Sequence, residues 1–104
     1  MSDKEILVKT FEQYAKNLAS TMFGLNSLPT QAVVNYVVKN AVDKYGPIID
    51  LFIDKNGNIN VDMLGEAARE EIKRMGGFIV GRIKFTDKDV DELVNTFKAN
   101  KKAN

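Results

Sequence analysis

The chain contains no cysteine and no histidine. Without cysteine there are no disulfides, no thiolate nucleophile and no Cys/His site for zinc or haem. Without histidine the usual near-neutral general base is missing. Carboxylates, lysine or tyrosine could still carry chemistry, so an enzyme is disfavoured rather than excluded, and no cofactor is expected.

Two further things are scarce. No apolar run approaches the eighteen or so residues that a spanning helix needs, so no membrane partner is expected. The start, Met1-Ser2-Asp3-Lys4-Glu5, is charged and is followed by no apolar block or small-residue cleavage site. A cytoplasmic protein is the expectation. Charge of one sign is also lacking: 15 basic residues stand against 14 acidic ones, and neither half of the chain is polarised. A strong field for nucleic acid or an anionic surface is therefore absent.

What is present is an ordinary globular composition, 44% hydrophobic and 28% charged over 104 residues. That length makes one domain with one modest core. Residues 1–46 read as a helical hairpin, 47–98 as strand-helix-strand-helix, and 99–104 as a frayed basic tail.

Helical periodicity dominates. Ser2 with Glu5 forms a capping-box pattern, and Leu7, Phe11, Tyr14, Leu18 and Met22 recur three and four residues apart, with Ala15 and Ala19 beside them. Gly24 stops this helix. After Leu25–Pro29, the pairs Val33/Val34, Val37/Val38 and Ala41/Val42 repeat every four residues, which fits a helix rather than an alternating strand. Gly46-Pro47 is expected to end it. The apolar run Ile48–Ile53 reads as a short fifth helix begun by Pro47, with a strand as the alternative.

In the second half one phrase occurs twice: Gly57-Asn58-Ile59-Asn60-Val61-Asp62 and Gly81-Arg82-Ile83-Lys84-Phe85-Thr86. Each is a glycine, a short stretch with apolar residues two apart, then an oxygen-bearing residue able to cap a helix. Two such strand-into-helix units can pair edge to edge. Asp62 would cap a helix buried along Leu64, Ala68, Ile72 and Met75, with Glu70 and Arg74 as an exposed pair. Thr86 with Asp89 would cap a last helix buried along Val90, Leu93, Val94 and Phe97. Phe78–Phe85 is extended, as one bulged strand or a hairpin. The fold class is mainly helical α+β: four main helices plus a short fifth, with a two- or three-stranded β element formed by the two strand-into-helix units.

Four features bear on function. Asp54–Asp62 is rich in oxygen ligands and offers a divalent-metal alternative. Calcium-loop spacing fails in both frames, however. With Asp54 first, Ile59 and Gly65 stand where glycine and glutamate belong; with Gly57 at the glycine position, Phe52 and Met63 stand where acids belong. The paired Gly-x-Ile phrases are similar to the strand pair between two EF-hand loops, over those few residues only. Gly76–Gly81 follows a helix instead of a strand, so it reads as a helix cap and bend rather than a phosphate loop. Lys73, Arg74, Arg82 and Lys84, with Phe78 and Phe85 among them, offer a nucleic-acid alternative. Asp87, Asp89 and Asp91 follow at once and would repel phosphate, which disfavours it.

The fourth feature is apolar surplus. The second helix is apolar over a broad arc, and Ile48–Ile53 adds another block, more than a small domain buries alone. The expectation is a non-catalytic module that binds another protein and itself, with Val34, Val38, Ile48, Ile49 and Phe52 as the contact surface. Such modules are frequent as accessory proteins of bacteria and phages, an origin the composition permits.

Overall fold

The computed structural model describes the backbone of residues 1–23, 28–76, 78–80 and 83–104, and the side chains of 1–21, 31–76 and 84–104. Among the described residues there are four helices, α1 (Asp3–Phe23), α2 (Leu28–Asp50), α3 (Val61–Met75) and α4 (Asp87–Ala103), and two short strands, β1 (Phe78–Val80) and β2 (Ile83–Phe85). The protein is mostly helical. None of these helices is long and apolar enough to cross a membrane. Helix α1 lies against both α2 and α4, and α3 packs on α4.

The start of α1 follows the capping box: Glu5 N–H donates to Ser2 Oγ at 3.2 Å, and the Glu5 carboxylate accepts from the Ser2 hydroxyl at 3.1 Å. Its innermost residues are Asp3, Ile6, Thr10, Ala15 and Ala19, while the expected Leu7, Phe11, Tyr14 and Leu18 are only half-buried beside them. Alanine at the centre lets a neighbouring backbone approach, and the larger side chains close over the flanks.

Helix α2 corrects the expected stop at Gly46-Pro47. It runs through both residues to Asp50, so the short fifth helix is the last turn of α2. Proline holds a helical φ, and its cost is a missing N–H for the Asp43 carbonyl. The extra turn is anchored by Ile49, which packs into the core, and by a 2.7 Å ion pair between Lys4 and Asp50. The backbone N–H groups of Leu51, Phe52 and Ile53 then donate to the carbonyls of Ile48, Ile49 and Asp50, at 3.1, 2.9 and 3.3 Å, and so tighten the exit of the helix.

The two glycine phrases do not pair with each other. Ile59 forms an isolated antiparallel bridge with Ile53, and Ile83–Phe85 pairs with Phe78–Val80 in the register Phe78↔Phe85, Ile79↔Lys84, Val80↔Ile83. Each phrase thus folds back on the segment just before it, the shorter loop to close. The likeness to an EF-hand strand pair goes with that correction, and β1 and β2 are antiparallel neighbours rather than one bulged strand. Gly57 (φ 81°) supplies the turn before Ile59.

The cap of α3 is Asn60, whose side-chain oxygen accepts from Met63 N–H at 3.2 Å, two residues earlier than the expected Asp62. Val61 and Gly65 are its buried residues; Leu64, Ala68 and Ile72 are half-buried, and Met75 is exposed. Arg74 pairs with Glu71 rather than Glu70. At the cap of α4, Asp89 Oδ2 accepts from Thr86 N–H at 2.7 Å and from the Thr86 hydroxyl at 3.1 Å. Residues 99–103, expected to fray, are helical.

Two apolar clusters hold these parts. Ile6, Ile59, Val61 and Phe97 form one, with Leu7, Ile49, Ile53, Leu64 and Val94 packed around it. Ala15, Val37 and Phe85 form the other, where Phe85 stacks on Phe11 with ring centroids 5.5 Å apart. The strand pair therefore reaches the core through its last residue, tucked against α1.

Candidate interaction surface

Of the five residues expected to form a contact surface, the fold leaves one well exposed. Val34 is 6% exposed, inside the fold, and is corrected out of the surface. Val38, Ile49 and Phe52 are half-buried, and Ile49 packs on the first core cluster. Ile48 is 47% exposed. The residue that the apolar spacing passed over is Leu51, 81% exposed beside it.

Helical geometry explains the pair. Ile48 follows Val37 by three turns and shares its side of α2, yet Val37 is fully buried. Beyond Gly46-Pro47 the inward place is taken by Ile49, and Ile48 is left outside. Leu51 N–H donates to the Ile48 carbonyl at 3.1 Å, so the two side chains spring from one turn of chain. Tyr36 (59% exposed) and Val42 add apolar surface along the same helix. A signal for Leu51 lies in the crowding of the run. Ile48, Ile49, Leu51, Phe52 and Ile53 are too many for the inward side of a turn and a half, so some of them must face water.

The turn at Asp54–Asp62 is built from its own polar groups. Asp54 Oδ1 accepts from Asn56 N–H at 2.8 Å and Asn58 N–H at 3.0 Å. Asn60 caps α3, Asp62 pairs with Lys98 at 2.8 Å, and the Asn58 amide oxygen accepts from Lys101 at 3.4 Å. These oxygens serve separate partners instead of converging. Among the described residues no group of three or more acidic, histidine or cysteine side chains gathers to hold a metal.

Of the basic residues of the nucleic-acid alternative, Lys73 and Arg74 lie on α3 and Lys84 on β2. Arg74 is taken by Glu71, while Lys73 and Lys84 are exposed on different elements. Arg82 lies outside the described residues.

An open cleft of about 480 Å³ lies between α1 and α4. Tyr14 stands in it, its hydroxyl donating to Asp89 Oδ1. Burial, and then the carboxylates of Asp89 and Glu92, push the Tyr14 phenol above its ordinary range. Asp89 thereby ties the cap of α4 to the middle of α1. Asn17, Thr21, Asn95 and Thr96 line the rest, with Leu18 as an apolar contribution.

Comparison with family models, with curated proteins and with solved structures returns no match to this chain.

Proposed function

We propose that the protein is a non-catalytic interaction module that acts in the cytoplasm by binding another protein and a second copy of itself. The observation that carries this reading is the Ile48–Leu51 pair. Two large aliphatic side chains from one turn stand in water at the end of α2. Isolated exposed apolar residues are common, but Ile48 and Leu51 are adjacent and form one apolar surface at the end of the helix. Covering a side chain of this size is worth about 1.5–3 kcal/mol. An accessory role in a bacterium or phage fits a small module of this kind.

Light scattering across a concentration series tests the reading. The wild type is expected to gain mass with concentration, and Leu51→Glu is expected to remain a monomer with an unchanged melting temperature. A wild type that stays monomeric at millimolar concentration removes the self-association half. Unchanged association in Ile48→Glu/Leu51→Glu removes this end of α2 as the contact surface.

A further inference from the structure

The outward face of α2 is polar and carries one charge of each sign. Asn35, Tyr36, Lys39, Asn40, Asp43 and Pro47 are all exposed along it. The charges on this flank are one lysine and one acid, Lys39 and Asp43, four residues apart. Lys44 turns aside, its ammonium over the Tyr45 ring at 5.5 Å from the centroid. The described ion pairs are Lys4–Asp50, Arg69–Asp91, Arg74–Glu71, Lys98–Asp62 and Lys101–Asp3; neither Lys39 nor Asp43 is in one of them. Lys39 precedes Asp43, which is the weaker order for a pair within one helix.

We propose that a second copy of this chain docks antiparallel along this face, on a two-fold axis between residues 41 and 42 of α2. The proposal rests on the self-association half of the function proposed above and gives it a geometry. Around such an axis, positions whose numbers add to 83 stand at the same level. Tyr36 then meets Pro47 of the second copy, an aromatic ring against a proline ring, at both ends of the contact. Lys39 and Asp43 of the second copy differ by one residue, about 1.5 Å along the axis. In an antiparallel pair the same flank of each helix faces its counterpart, so the ion pair forms twice, Lys39 to Asp43 and Asp43 to Lys39. The charges of this flank are therefore complementary to those of a second copy laid antiparallel on it.

Charge exchange tests this. Lys39→Asp and Asp43→Lys, each alone, place like charges together and are expected to raise the dimer dissociation constant at least tenfold at low salt. The double variant Lys39→Asp/Asp43→Lys restores opposite pairs and is expected to return to within about threefold of wild type. Both positions are in solvent, and circular dichroism with thermal melting shows whether each variant is folded. Wild-type association should also weaken as salt rises from 50 to 500 mM. A dimer indifferent to both single exchanges, or a folded double variant that is not restored, overturns this geometry while leaving self-association itself standing. A wild type that never dimerises overturns both.

Discussion

Asp3 and Lys101 are joined by a 2.8 Å ion pair that ties the beginning of α1 to the end of α4. The Asp3 carboxylate is almost fully buried, and the same oxygen accepts from the Ile59 N–H at 2.8 Å. One side chain thus holds the first helix, the turn before α3 and the last turn of the chain. Nearby, Asn100 donates to the Thr10 hydroxyl at 2.9 Å, and Thr10 donates in turn to the Ile6 carbonyl. These bonds keep residues 99–103 helical.

Replacing Asp3 with alanine is expected to cost about 2–3 kcal/mol, because a charge-assisted bond is lost and the Ile59 N–H is stranded under cover. Lys101→Met should cost less, since the lysine is partly in water and Asp3 keeps its bond to Ile59. Urea unfolding of the two variants at pH 7 checks the order; equal costs would mean that Ile59 contributes nothing to the junction.

The junction also carries a pH signature. Burial alone would raise the Asp3 carboxyl, but the Lys101 ammonium and the Ile59 N–H more than offset it and hold it below its ordinary value of 3.8. A depressed carboxyl stabilises the fold above its unfolded value and loses that contribution as pH falls through the folded one. The deficit of Asp3→Asn relative to wild type should be constant from about pH 5 to 8 and shrink below about pH 4. A deficit that grows in acid would contradict the assignment.

Gly65 sets how closely α3 approaches α4. A Cβ there would lie 2.9 Å from Val94 Cγ2, a branched side chain packed on the core. Alanine would gain about 1 kcal/mol of helix propensity and lose about 1–3 kcal/mol to overpacking. Net destabilisation of Gly65→Ala is expected, and it should be smaller in a Val94→Ala background. Independent, additive effects in a double-mutant cycle would show that the two residues do not touch.

The tyrosines offer a spectroscopic test. A raised phenol favours the neutral form in the fold, so its stabilisation is present below the ordinary phenol range and is lost as pH rises through the folded value. Ultraviolet titration should leave one of the three tyrosines un-ionised at about pH 11 until the chain unfolds. That component should vanish in Tyr14→Phe.

Phe97 and Met75 separate packing from pattern. Both fall on an apolar stripe, yet Phe97 is 1% exposed and Met75 is 49% exposed. Phe97→Ala should cost about 3–5 kcal/mol. Met75→Ala should change stability by less than about 0.5 kcal/mol. Thermal denaturation distinguishes them, and a large loss at Met75 would place a neighbour over it.

Local signals carried the starts of α1 and α4. Ser2 with Glu5 and Thr86 with Asp89 are caps within four residues, and both form as read. The stripe Val90, Val94 and Phe97 turns inward because α4 meets both α1 and α3. The surface at Ile48 was half legible: apolar surplus pointed to the end of α2, but which residue of Ile48–Ile53 faces out depends on what lies beneath. Ile49 packs on the first core cluster, and Leu51 is left exposed.

The starts of α1 and α4 and the mainly helical character could be read from the order of residues. They follow from neighbours three and four residues apart and from composition. Three outcomes waited on the folded chain: α2 continues through Pro47, Ile59 bridges Ile53 rather than its twin near Ile83, and the last residues are ordered by Asp3. The first and third turn on contacts between distant parts of the chain, and the second on the shorter loop being the cheaper to close. A break in local propensity is overcome when the next turn gains an ion pair and a place in the core, and no spacing rule records that gain.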